Sequence, residues 1–265
     1  PLVEIRMTAP TPGQPSDSTT PAETAAASAD GAEPTGYRVT AGLIMRDWPV
    51  LLLIAGSAVL GFVAFSQAPA QVPIHWNIHN EADGWGPAWV NTLAPIGVVV
   101  LLYLLLLYAP TWDSRMKSRP TAKTDRMFRV LRAAIVVTFV AIHTALCLLT
   151  MGVAIDVPNV IRVVIPGLFV MLGMWMPSLE QNGVAGVRTP WTLKNKKVWK
   201  KTHHVAGAAF VIAGVVGVVS ALLPPEAGFI AFFATLIVAV IVPIVYSGMI
   251  YKAEGGPDEP EAPAA

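Results

Sequence analysis

The chain is 265 residues long, 54% hydrophobic and 13% charged, with a formal net charge of +1. A mean hydropathy of +0.57, with charged residues at about half the usual share of about 25%, excludes an ordinary water-soluble globule and points to a bilayer as solvent. One cysteine, Cys147, excludes an intrachain disulfide; it lies inside an apolar run and reads as a small packing residue.

Residues 1–36 are rich in Pro, Ala, Ser, Thr and acids and contain no aromatic before Tyr37. Such a stretch buries too little apolar surface to offset its ordering entropy, so residues 1–40 are expected to form a disordered tail. It lacks the basic and apolar regions of a signal peptide, and Met7 is a candidate start behind Pro1. Six apolar runs follow, at 48–66, 89–109, 133–154, 161–178, 205–223 and 227–249. Each approaches the length of about 20 residues that a helix needs to cross a hydrocarbon core. The fourth is the least regular, interrupted by Arg162, Pro166 and Pro177, while Pro95, Pro166 and Pro243 predict bends. Ala209, Ala213, Gly217 and Ala221 form a small-residue stripe for close helix packing within the monomer. Residues 253–265 are acidic and Pro-rich and are expected to be a second disordered tail. The predicted fold is therefore all-α and polytopic. It divides into a first region over 41–130 (two spans and an outside loop, 67–88) and a four-span region over 131–252.

Charge distribution sets the predicted orientation. Loop 110–132 carries Arg115, Lys117, Arg119, Lys123, Arg126, Arg129 and Arg132, and loop 179–204 carries Arg188, Lys194, Lys196, Lys197, Lys200 and Lys201. Connections 67–88 and 224–226 have no Lys or Arg. The positive-inside rule then places both termini and both basic loops in the cytoplasm. In that setting the basic loops are topology determinants and contacts to lipid phosphates, and no direct nucleic-acid partner is expected.

The outside loop contains Gln71–Trp89, QVPIHWNIHNEADGWGPAW. Trp76, Trp85 and Trp89 suit the membrane interface, where an apolar ring and an N–H are both satisfied. His75 and His79 have the i, i+4 spacing of two ligands on one helical face. With only Glu81 and Asp83 nearby and no cysteine, hydrogen bonding within the loop is preferred to a metal site. His143 falls mid-span, either as a functional ionisable group or as a neutral imidazole bonded to a neighbouring helix.

Between spans four and five the chain reads NGVAGVRTPWTLKNKKVWKKTHH from Asn182 to His204. Arg188 offers a bidentate fork, and Thr189-Pro190 enforces an extended turn. Thr192 is expected to cap a helix through Leu193–Lys201, with Trp191 and Trp199 as interfacial anchors. This segment either seats the bundle as a re-entrant amphipathic piece or forms a docking surface for a cytosolic partner.

The order Asn182, Gly186, Arg188, Thr189-Pro190-Trp191-Thr192, Trp199, Thr202-His203 resembles the signature of SdpI-type immunity proteins, bacterial membrane proteins associated with resistance to a secreted toxic peptide. Pro73, Ile74, His75, Asn77, Asp83, Gly84 and Trp85 resemble the short HWN-type domain found upstream in such proteins. Here Asn80 replaces a glycine, and Gly86-Pro87 replaces an ending that carries a lysine. Asn best tolerates positive φ among non-glycine residues, so the turn is expected to persist.

The resemblance implies a non-enzymatic immunity and signalling protein of the bacterial cell membrane. Its partners would be membrane lipid, a secreted toxic peptide and a cytosolic repressor-type regulator. The candidate ligand- or partner-binding residues are His75, Asn77, Asp83 and Trp85 in the outside loop and His143 within the membrane. On the inside they are Asn182, Arg188, Thr189, Trp191, Thr192, Trp199 and His203. A transporter or channel for a small solute, a lipid or the peptide, using His143 and the bent spans, is the alternative. An intramembrane enzyme ranks last: no HExxH, GxSxG, paired intramembrane carboxylates or Ser–His arrangement stands out, and Asp156 and Glu226 lie at span ends. No catalytic residue, metal or cofactor is expected.

Overall fold

A computed structural model describes residues 37–114, 116 and 122–257. The two expected tails fall largely outside these residues, as do Arg115, Lys117 and Arg119.

Among the described residues six helical segments are long and apolar enough to cross a membrane: Trp48–Ser66, Trp89–Trp112, Ala122–Thr150, Val157–Ser178, Lys196–Ser220 and Pro225–Ala253. The protein is a polytopic helical membrane protein, as the six apolar runs require. Its helices are α1 (Ala41–Arg46), α2 (Trp48–Ser66), α3 (Trp89–Thr92), α4 (Ala94–Tyr108), α5 (Ala122–Thr150), α6 (Val157–Trp175), α7 (Pro190–Lys194), α8 (Lys196–Ser220) and α9 (Pro225–Ala253). Between α2 and α3 lies a two-stranded antiparallel ribbon, β1 (Val72–Trp76) and β2 (Ala82–Gly86).

Helix ends follow local chemistry. Thr40 caps α1 through its side chain, Asp156 caps α6, and proline occupies the first turn of α2, α4, α6, α7 and α9, where no intrahelical N–H donor is needed. The third span begins eleven residues before its expected start at 133, so Arg126, Arg129 and Arg132 belong to helix rather than loop. In the irregular fourth span, Arg162 reaches across to the C-terminal end of α8. Its Nη2 donates to the Ser220 carbonyl at 2.8 Å and to that of Leu223 at 2.9 Å, satisfying acceptors that a helix end leaves open.

α5 packs against α2, α4 and α6, and α8 packs against α6 and α9. The α6–α8 seam is built on glycine. A Cβ on Gly173 would lie 2.6 Å from the Gly207 carbonyl oxygen, and one on Gly207 would lie 2.6 Å from that of Gly173. Gly214 and Gly217 meet Pro166 just as closely. Of the expected stripe, Ala213 and Gly217 are buried while Ala209 and Ala221 are only partly buried; Gly207 and Gly214 complete the internal packing surface.

Candidate functional site

The hairpin is held by its own polar side chains. The Asn77 N–H donates to the Glu81 carbonyl at 2.9 Å, and its Oδ1 accepts from the N–H groups of His79 (2.9 Å) and Glu81 (3.1 Å). Asn80 has φ 65°, the expected left-handed turn residue. His75 Nδ1 lies 2.6 Å from Asp83 Oδ1. Gly84 makes room for that imidazole, since a Cβ there would stand 2.8 Å from the Cβ of His75. Asn91 Nδ2 donates to the Pro73 carbonyl at 2.9 Å and seats the ribbon on α3. Hence Asn77 builds the turn, the His75–Asp83 pair is accessible, and Trp85 is exposed.

The helical-face arrangement of His75 and His79 does not form, because one lies in a strand and the other in the turn. His79 Nδ1 instead lies 2.8 Å from Glu226 Oε1, tying the hairpin tip to the first turn of α9. Among the described residues no group of three or more His, Cys, Asp and Glu side chains could hold a metal ion.

Within the bundle, His143 is fully buried. Its Nε2 donates to the Thr92 carbonyl at 2.9 Å, leaving Nδ1 to accept from the Ser57 hydroxyl at 2.6 Å; the tautomer follows from these partners. This Ser57–His143 hydrogen bond joins residues 86 positions apart, a separation that kept the contact from standing out in the sequence. Both members are buried, and the arrangement clamps α2, α3 and α5 together.

The basic end carries the second set of candidates. Asn182 is buried: its Oδ1 accepts from Val184 and Ala185 N–H at 2.8 and 2.7 Å, and its Nδ2 donates to the Glu180 carbonyl at 2.8 Å. Arg188 donates to the Gly183 carbonyl, and Gly183 N–H donates to Asp113. Gly186 has φ +107°, and a Cβ there would sit 2.3 Å from His203 Nε2. That nitrogen accepts the Val187 N–H at 3.1 Å, while Nδ1 donates to the Trp199 carbonyl at 2.8 Å. The Trp199 ring stacks on His203 with centroids 4.0 Å apart, and its Nε1 donates to the Leu179 carbonyl at 2.8 Å. Trp199 is therefore core rather than an interfacial anchor.

Thr189, not Thr192, is the N-cap. It forms a capping box with Thr192 at the start of α7, and Asn195 separately caps α8. Pro190 at the first helical position was the sequence signal for this placement. Thr189 Oγ1 also lies 3.1 Å from Ser247 Oγ on α9, and the Trp191 ring covers Gly248. Asn182, Thr189, Thr192, Trp199 and His203 thus close the turn on itself, while Arg188 and Trp191 remain exposed.

One cluster escaped the sequence reading. Arg132, expected in a lipid-facing loop, is the largest fully buried side chain. Its Nε donates to Asp47 Oδ2 at 2.8 Å and its Nη2 lies 2.7 Å from the same oxygen, both side chains being 0% exposed. Tyr103 donates to that oxygen at 3.3 Å. Burial raises the Tyr37 pKa above its ordinary value, while the neighbouring Arg132 guanidinium opposes the shift. The available signal was spacing: Thr124, Met127/Phe128 and Arg132 recur every three or four residues on the buried face of α5.

Residues 178–247 match the SdpI/YfhL protein family, and residues 52–100 match the domain of unknown function DUF1648. The chain is 24% identical over 210 residues to "Immunity protein SdpI" of Bacillus subtilis (strain 168), a match covering 78% of this chain and 96% of that protein. No solved structure matches.

Proposed function

We propose, from the premise that the chain belongs to the SdpI/YfhL family, that this multi-pass cell-membrane protein is an immunity protein against a secreted antimicrobial peptide. The hairpin end faces outward and receives the peptide at His75, Asp83 and Trp85. The basic end faces the cytoplasm and presents Arg188 and Trp191 to a regulator. The observation that carries the reading is the extent of the match to the Bacillus immunity protein, nearly end to end. The Lys/Arg asymmetry between the two ends supports the orientation, and the contrast between accessible His75, Asp83, Trp85 and self-satisfied Asn77 narrows the outer surface.

The test is survival of a deletion strain, with and without the restored gene, exposed to secreted peptides of its own and neighbouring strains. Restoration should protect. His75→Ala should weaken protection at unchanged membrane abundance, whereas Arg188→Ala should disturb the inner turn or regulator binding. Absence of protection by the intact protein, with solute movement in proteoliposomes, would establish a transporter instead.

A further inference from the structure

At the basic end, α5 and α6 part to leave an open groove of about 220 Å³, lined by Val130, Leu131, Ala134, Met171, Leu172, Met174 and Trp175. Ala134, the smallest of these side chains, is 3% exposed and leaves the hollow. Two of the α6 positions are methionine, whose unbranched side chain conforms to an irregular apolar partner. Beyond Trp175 no lining side chain carries a hydrogen-bonding N or O atom, so the groove suits hydrocarbon.

Its basic-end margin is different. Trp175 ends α6, and its indole N–H has no acceptor among the described residues. One helical turn from Val130 toward the same end stands Arg126, exposed and likewise without a hydrogen-bond or ion-pair partner among those residues. Lys123, a further turn along, is already 3.4 Å from Glu180 Oε1. Trp175 lines the apolar slot and Arg126 stands one helical turn beyond its Val130 wall, together the complement of an anionic headgroup joined to an acyl chain. Basic recesses between spans at the cytoplasmic side suit such lipids on general electrostatic grounds.

We infer that this groove is a lipid site: one acyl chain of an anionic glycerophospholipid lies between α5 and α6, and its phosphate engages Arg126 and the Trp175 indole.

The full chain, purified in neutral detergent, is titrated with phosphatidylglycerol or phosphatidylcholine and bound lipid is counted by native mass spectrometry. The wild type should retain phosphatidylglycerol preferentially, with inorganic phosphate failing to displace it. Arg126→Gln should lower that preference about fivefold, the factor one basic side chain near an anionic surface supplies. Val130→Trp, at a position 37% exposed on the groove wall, should reduce binding of both lipids. Ile237→Trp, on the exposed face of α9, should leave both unchanged and shows that added bulk alone is tolerated. Equal binding of the two lipids by the wild type would overturn the inference. So would full phosphatidylglycerol preference in folded Val130→Trp, which would leave only attraction at the surface, or displacement by inorganic phosphate. A lipid-free dimer that Val130→Trp dissociates would assign the groove to a second copy of the chain and overturn it as well.

Discussion

Removing Arg132 should be far more damaging than removing the entire ion pair to which it belongs. In Arg132→Met, Asp47 keeps only the Tyr103 hydroxyl at 3.3 Å, having lost Nε at 2.8 Å and Nη2 at 2.7 Å. Its other oxygen, Oδ1, already has no hydrogen-bond partner among the described residues. A carboxylate stranded in this way costs about 3–5 kcal/mol, whereas exchanging a buried pair for apolar side chains of similar size is often neutral or stabilising by about 1–4 kcal/mol. The Asp47 side chain makes no cap bond to α2, so Asp47→Leu removes charge without removing a helix cap. The expected order of apparent Tm in detergent is therefore Asp47→Leu/Arg132→Met at or above wild type, with Arg132→Met well below both. A double-mutant cycle measures the coupling directly. If the single and double variants are equally destabilised, or if Arg132→Met matches wild type, the argument from a stranded carboxylate is wrong.

Two further outcomes rest on backbone geometry and one on the charge asymmetry of the loops. Gly186→Ala should destabilise by at least about 1–3 kcal/mol, the cost of a strained backbone conformation, because its Cβ also meets His203; Gly97→Ala, which faces open space, should be nearly silent in the same thermal assay. At the hairpin, Asn80→Val should lower stability by about 1–2 kcal/mol, while Asn80→Gly should not, since φ 65° disfavours a side chain. In a Cys147→Ser background, an impermeant thiol reagent should label a cysteine placed at position 80 in intact cells and not one placed at 196. The opposite pattern would invert the orientation.

Length and hydropathy made the six spans legible because a crossing helix requires a long apolar run that few other structures need. Asn80 was legible too, through the backbone preference of its residue type. The hairpin was not read as strand: β1, VPIHW, contains Pro73 and β2, ADGWG, contains two glycines, so neither shows the alternation of period two that marks a strand. Arg132 was misplaced for a different reason. A sequence shows a charge but not its partner, and Asp47 stands 85 residues away. The same distance problem concealed Ser57 from His143. In the 182–204 motif the residue types were visible, yet their inward bonding was not, because indole and imidazole suit an interface and a core equally well until acceptors such as the Leu179 and Trp199 carbonyls are placed.

The glycine seam constrains motion as well as packing. With Gly173 and Gly207 each within contact of the other's backbone, neither helix can slide by a residue without driving a side chain into a carbonyl. Arg162 pins the far end of the same pair to the Ser220 and Leu223 carbonyls. α6 and α8 therefore behave mechanically as one strut. At the end of α5, Gly152 at φ +83° donates to the Leu149 carbonyl at 3.0 Å and Val153 N–H donates to the Leu148 carbonyl at 2.9 Å, a Schellman closure that fixes where the chain leaves α5 toward this strut.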